Sequence, residues 1–186
     1  MRRAINFIVY NLVWLVSLVG AGSGYPWLGA VALAGFMAWH FRQTATPRGD
    51  LLLVLAAGGA GLVCDTLYIQ SGLLAYAAPL PWQQLAPFWI VAMWMNFGLT
   101  LNESLGWMRG RPVLGALLGV VGGPLAYIAG IKLGAAEMTA ESWQVIGVVA
   151  LTWAVAVPLL LSAAERVSRL PEPAAALLPP SGRGLQ

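Results

Sequence analysis

Charge is what this sequence has least of. Only 9% of its 186 residues are Asp, Glu, Lys or Arg, while 59% are hydrophobic. An ordinary soluble domain carries about 25% charged residues. The shortage leaves too little polar surface for a water-facing fold and argues against a soluble enzyme and against a disordered chain. The one cysteine, Cys64, cannot form an internal disulfide or build a zinc site. The one histidine, His40, excludes a His-rich metal cluster. Also missing are a Gly-rich phosphate loop with its lysine, a G-x-S-x-G elbow and an H-E-x-x-H helix. No cofactor is implied. The net charge of +3 does not point to nucleic acid, because the arginines are scattered between apolar runs instead of forming one patch.

What is present is a succession of long apolar runs. Six of them read as transmembrane helices, at about 4–21, 26–41, 51–69, 87–107, 112–132 and 142–163. Pro26, Pro87 and Pro112 open three of these, where the missing amide costs no hydrogen bond. The runs are continuous and not alternating, which favours helices over a β-barrel. The fold class is therefore an all-α, polytopic bundle spanning residues 1–165. A Pro- and Ala-rich tail, 166–186, is expected to be disordered. The start Met1-Arg2-Arg3 is read as part of a retained first helix and not of a cleaved signal.

Orientation follows from the basic residues. With six spans, Arg2, Arg3, Arg42, Arg48, Arg109, Arg111, Arg166, Arg169 and Arg183 share one side, and only Lys132 lies on the other. The positive-inside rule makes the arginine-bearing side cytoplasmic, with both termini inside. Trp27, Trp82, Trp89 and Trp143 near the outer ends, and Trp39 and Trp107 near the inner ends, read as interfacial anchors.

Two acids lie inside the runs, where a charge costs roughly 3 kcal/mol on insertion scales. Asp65 lies about 21 Å along helix three and shares a face with Gly58, Gly61 and Tyr68. It is either a structural partner of Lys132 or a proton- or ligand-binding carboxylate. Glu103 ends a stripe on helix four formed with Asn96 and Thr100 at i, i+4 and i+7. It is placed to meet His40 or Arg42 from helix two. Asn6, Tyr10 and Ser17 give helix one a similar face. Together these residues suggest a polar cleft opening toward the cytoplasm, with Asp65, Asn96, Thr100, Glu103, His40, Asn6 and Tyr10 as ligand- or proton-binding candidates.

Helix five carries Gly115, Gly119 and Gly123, a repeated G-x-x-x-G pattern that lets two backbones approach. Gly122-Gly123-Pro124 is expected to interrupt it near the middle. The glycine face is a candidate contact with a second copy or a membrane partner. The outer connection 70–86, rich in apolar residues, reads as an amphipathic segment at the interface.

The stretch Ala86-Pro87-Phe88-Trp89-Ile90-Val91-Ala92-Met93-Trp94-Met95-Asn96-Phe97, running into Leu101-Asn102-Glu103-Ser104-Leu105-Gly106-Trp107, resembles the domain-of-unknown-function 2878 family. Asn6-Phe7 with Asn11, and Gly122-Gly123-Pro124-Leu125-Ala126-Tyr127, are similar too. The resemblance covers residues 4–165 and implies a small bacterial inner-membrane protein. It carries no established activity and no catalytic residues. Three functions compete at this point. The first is a small transport or ligand-binding membrane subunit. The second is an accessory subunit of a lipid-modification complex, motivated by the glycine face. The third is an intramembrane enzyme acting on lipids, for which Asp65, Glu103 and His40 are the acid–base candidates.

Overall fold

The computed structural model describes residues 1–169. The tail expected to be disordered lies outside the described residues from 170 onward; its first residues belong to the last helix, which ends at Val167. Six α-helices form one bundle: α1 (Arg2–Gly22), α2 (Trp27–Phe41), α3 (Pro47–Gln70), α4 (Phe88–Gly98), α5 (Pro112–Lys132) and α6 (Ser142–Val167). Four of them, α1, α3, α5 and α6, are long and apolar enough to cross a membrane. Leu12, Leu55, Val63, Val121, Leu151 and Leu159 project from their outer faces and are exposed, the pattern of a bundle solvated by hydrocarbon. The chain is a membrane protein with an α-helical bundle fold.

Helices two and four differ from the expectation. The 15 residues of α2 rise only about 22 Å, less than the roughly 30 Å hydrocarbon core. The expected helix 87–107 is a helix for only the 11 residues of α4. Beyond Gly98 the chain makes successive turns and a short 3₁₀ segment, Gly106–Met108. Irregular backbone is tolerated at membrane depth only where protein surrounds it. That holds here: Leu99, Thr100 and Leu101 are buried. Asn6 Nδ2 on α1 donates to the Leu99 carbonyl at 3.1 Å, and Thr100 Oγ1 donates to the Phe97 carbonyl at 2.6 Å. These bonds replace those a longer helix would have made.

α5 is continuous through Pro124, so the expected interruption does not occur. Its glycines face α6 of the same chain. A Cβ on Gly119 would lie 2.1 Å from the Trp153 carbonyl oxygen, and one on Gly123 2.5 Å from the Trp153 ring. A Cβ on Gly115 would lie 2.9 Å from Leu161 Cδ1. The stripe is thus packed against α6 of the same chain. α3 and α4 are joined the same way. Gly58 admits Met95, Gly61 admits the Trp94 ring, and Gly98 rests on the Val54 backbone.

The connections between α3 and α4 and between α5 and α6 are tied together. Strand β1 (Leu74–Tyr76) pairs antiparallel with β2 (Ala136–Met138), with Tyr76 opposite Ala136. The Ala77 amide donates to the Ala135 carbonyl at 2.9 Å, and the Thr139 amide to the Leu73 carbonyl at 3.1 Å. This two-stranded ribbon caps the outer end of the bundle and points Tyr76 into it.

Candidate functional site

Polar side chains collect at two separate levels. At the inner end, Glu103 is clasped by the Arg2 guanidinium, whose Nε donates to Oε2 at 3.1 Å and whose second nitrogen donates to Oε1. Arg2 also donates to the Gln43 carbonyl at 2.8 Å. His40 Nε2 lies 2.8 Å from Asp50 Oδ2, and both side chains are buried. Asp50 further accepts from the Thr44 hydroxyl and from Asn102 Nδ2 at 2.6 Å, and Arg109 donates to Asn102 Oδ1 at 3.2 Å. Ser104 Oγ donates to Asn6 Oδ1 at 2.8 Å.

This arrangement corrects the sequence reading of Glu103. Its partner is Arg2, not His40 or Arg42, and His40 is taken by Asp50. Because the helix ends at Gly98, Asn96, Thr100 and Glu103 do not form one stripe. Asn96 Nδ2 reaches the Tyr10 carbonyl at 3.0 Å, while Glu103 sits a turn-rich segment away. The crevice bordered by Arg2, Asn6, His40 and Glu103 has no room for a water molecule. The inner residues form a closed hydrogen-bonded plug and not a cleft. Removing the His40 ring should leave Asp50 buried with part of its shell missing. We expect His40→Ala to cost about 3 kcal/mol in an unfolding titration, and Arg42→Ala, a neighbour outside the network, to cost under about 0.5 kcal/mol.

The outer level is built differently. Asp65 on α3 is fully buried and accepts three hydrogen bonds. Trp94 Nε1 donates at 2.7 Å, Tyr127 Oη at 2.6 Å, and Tyr76 Oη donates to the same carboxylate oxygen as Tyr127. The donors come from α4, α5 and the β-ribbon, so one carboxylate joins four elements. Lys132 is exposed and is not its partner; the ion pairs among the described residues are Arg2–Glu103, His40–Asp50 and Arg169–Glu165. Gly61 lies one turn before Asp65, and its missing Cβ makes room for the indole that reaches the acid.

The three donor residues also line a cavity of about 50 Å³. Water needs roughly 10–15 Å³ of such space, so a few waters or a small organic group would fit. Its walls include Tyr76, Trp89, Trp94, Phe97, Tyr127 and Trp153. Trp94 and Trp153 stack with centroids 4.3 Å apart, and Phe97 meets Trp153 edge-on at 5.6 Å. Trp89 meets Tyr76 edge-on at 5.9 Å and donates its Nε1 hydrogen to the Ala77 carbonyl at 3.0 Å. Trp89 is buried and is a cavity wall, not the interfacial anchor it was expected to be. Trp27, Trp82, Trp107 and Trp143 are more than half exposed.

The matching family model is described as a protein of unknown function (DUF2878) and covers residues 3–159. The chain belongs to the DUF2878 family. No curated protein and no solved structure matches it. The matched region of this DUF2878 chain contains the outer polar level, the whole aromatic cavity and the inner level except Arg2, and ends inside α6. Among the described residues no group of three or more His, Cys, Asp or Glu side chains is placed to hold a metal.

Sequence reasoning found Asp65 and the inner amides but missed Asp50 and the aromatic set. One signal was available for the latter. Trp14, Trp94 and Trp153 lie near the middle of their apolar runs, at depths where an interfacial anchor has no function. Gly61→Ala should displace the Trp94 ring, since the new Cβ would sit 2.2 Å from it. The expected result is a red-shifted tryptophan emission with little loss of helix by circular dichroism.

Proposed function

We propose that this chain is a ligand-binding subunit of the bacterial inner membrane, serving capture or transport of a small molecule. In this reading both termini are cytoplasmic and the chain crosses the membrane several times, as the arginine distribution predicts. The observation that supports it is the aromatic cavity whose Tyr76, Trp94 and Tyr127 walls are fixed from behind by Asp65. A concave, mostly apolar site with a few fixed polar groups is the usual form of a small-molecule site. Bonding each ring to a buried acid holds it in one rotamer, so the site is preorganised and little entropy is lost on binding. The inner plug serves stability in this account, and the outer cavity serves recognition.

The test is complementation of a deletion strain, read by untargeted lipidomics and metabolite uptake. Wild type and Glu103→Gln should restore the altered species. Ala126→Phe, which adds a ring at the cavity wall, should not. Restoration by Ala126→Phe at normal expression would refute the assignment.

A further inference from the structure

α1 lies at the edge of the bundle. Its packed side meets α2 and the end of α4: a Cβ on Gly29 would lie 2.3 Å from Ser17 Oγ, and Asn6 Nδ2 reaches the Leu99 carbonyl at 3.1 Å. Its other side is open, with Phe7, Ile8, Asn11, Leu12, Leu15 and Val16 exposed. Five of these six are apolar and suit hydrocarbon. Asn11 does not. It lies roughly 14 Å along a helix roughly 31 Å long, close to the middle of the bilayer. Its Nδ2 donates to the Phe7 carbonyl at 2.7 Å, which leaves the second amide hydrogen and Oδ1 without a partner among the described residues. α5 stands off from it across a recess of about 230 Å³ and contributes only Gly122, Leu125 and Ala126 there. Hydrocarbon offers neither a donor nor an acceptor, so an open amide at this depth is unfavourable.

Whatever satisfies this face must bring a donor and an acceptor to the depth of Asn11. Acyl chains would cover the leucines but not the amide. A second copy supplies both groups by symmetry. Two copies inserted in one membrane with the same orientation run their α1 helices parallel, which brings residue 11 of each to the same level. A two-fold axis along the membrane normal then sets Asn11 against Asn11 of the partner subunit, each amide donating its free hydrogen to the other's Oδ1. The flanking residues suit the same axis. Ala4, Ile8, Asn11 and Leu15 are all exposed and follow one another at intervals of four, three and four. That is the 3.5-residue repeat of a left-handed parallel helix pair. A single asparagine in such a seam fixes the register and the number of strands.

We propose that the chain forms a parallel homodimer through α1, closed by a pair of Asn11 amides near the middle of the membrane. This interface does not depend on the ligand-binding reading above. Two measurements on the full-length protein test it. In native membranes, with Cys64→Ser as background, Leu15→Cys should cross-link to a dimer on copper-phenanthroline oxidation. Leu151→Cys, likewise exposed but on α6, should not. In dodecyl maltoside, energy transfer between labelled copies is followed against the protein-to-detergent mole fraction. Asn11→Leu should raise the dissociation constant about tenfold, the range of interhelical amide bonds in model helices. Asn11→Gln keeps the amide and should stay within about threefold of wild type. Wild type that stays monomeric throughout, Asn11→Leu that associates as tightly as wild type, or a Leu15→Cys chain that forms no dimer would each overturn the proposal. So would cross-linking of Leu15→Cys only to a protein of another mass, which would give this face to a different membrane partner. Equal cross-linking at Leu15 and Leu151 would reduce the contact to random collision and overturn it too. None of these results alters complementation by wild type and Ala126→Phe, so failure of the dimer and failure of ligand binding are read separately.

Discussion

Asp65→Ala should be among the most damaging single substitutions in this chain, costing about 4 kcal/mol in an SDS-titration unfolding experiment in mixed micelles. The reason is arithmetic on unmade bonds. The substitution removes one acceptor group but strands three donors, Trp94 Nε1, Tyr76 Oη and Tyr127 Oη. Each buried donor left without a partner costs about 1–3 kcal/mol, and the sum is discounted because the sites are neighbours. Asp65→Asn keeps one oxygen as acceptor and nearly the same volume, so it should cost less than half as much. The ratio separates this account from a purely packing role, in which Ala and Asn would differ little. A cost below about 1 kcal/mol for Asp65→Ala would mean that the three hydrogen bonds do not hold the outer level together.

The second large effect is expected between α5 and α6. A side chain at Gly119 has nowhere to go, because its Cβ would lie 2.1 Å from the Trp153 carbonyl oxygen and 2.5 Å from its carbon. Backbone atoms cannot rotate away, so the helices must part. Gly119→Val should cost at least about 3 kcal/mol, at the upper end of overpacking penalties. Gly59→Ala is the internal control. It is exposed on α3, and nothing lies within 4 Å of its added Cβ. There the helix propensity gain dominates, and about 0.5–1 kcal/mol of stabilisation is expected. Opposite signs at two glycines of equal helical context would show that close approach, and not composition, explains the stripe. Parting α5 from α6 also shifts Trp153, so the same variant should disturb the aromatic cavity.

The apolar runs made the helices legible, because hydropathy and the N-terminal prolines act locally. Pro112 opens α5 as expected, and Pro47 opens α3 four residues before the start expected from hydropathy. The end of α4 was not legible. Its apolar pattern continues to Trp107, but the break at Gly98 depends on Asn6, 93 residues from the carbonyl it satisfies. Ion pairing failed for the same reason. Arg2 and Glu103 are 101 residues apart, and the positive-inside rule assigns Arg2 to topology without naming a partner. Asp65 was legible as a buried acid from its depth and its glycine neighbours. Its donors were not, because they come from positions 11, 29 and 62 residues away. The cavity followed the same rule: a wall built from α1, α4, α5, α6 and the β-ribbon has no signature in any one run.

In the proposed function, recognition belongs to the outer aromatic cavity and not to the inner polar plug. Native mass spectrometry of the full-length protein released from its own membranes tests this most directly, with wild type, Ala126→Phe and Glu103→Gln compared side by side. A small-molecule adduct should be retained on wild type and on Glu103→Gln and be lost from Ala126→Phe. An adduct that survives in Ala126→Phe and disappears in Glu103→Gln would contradict it.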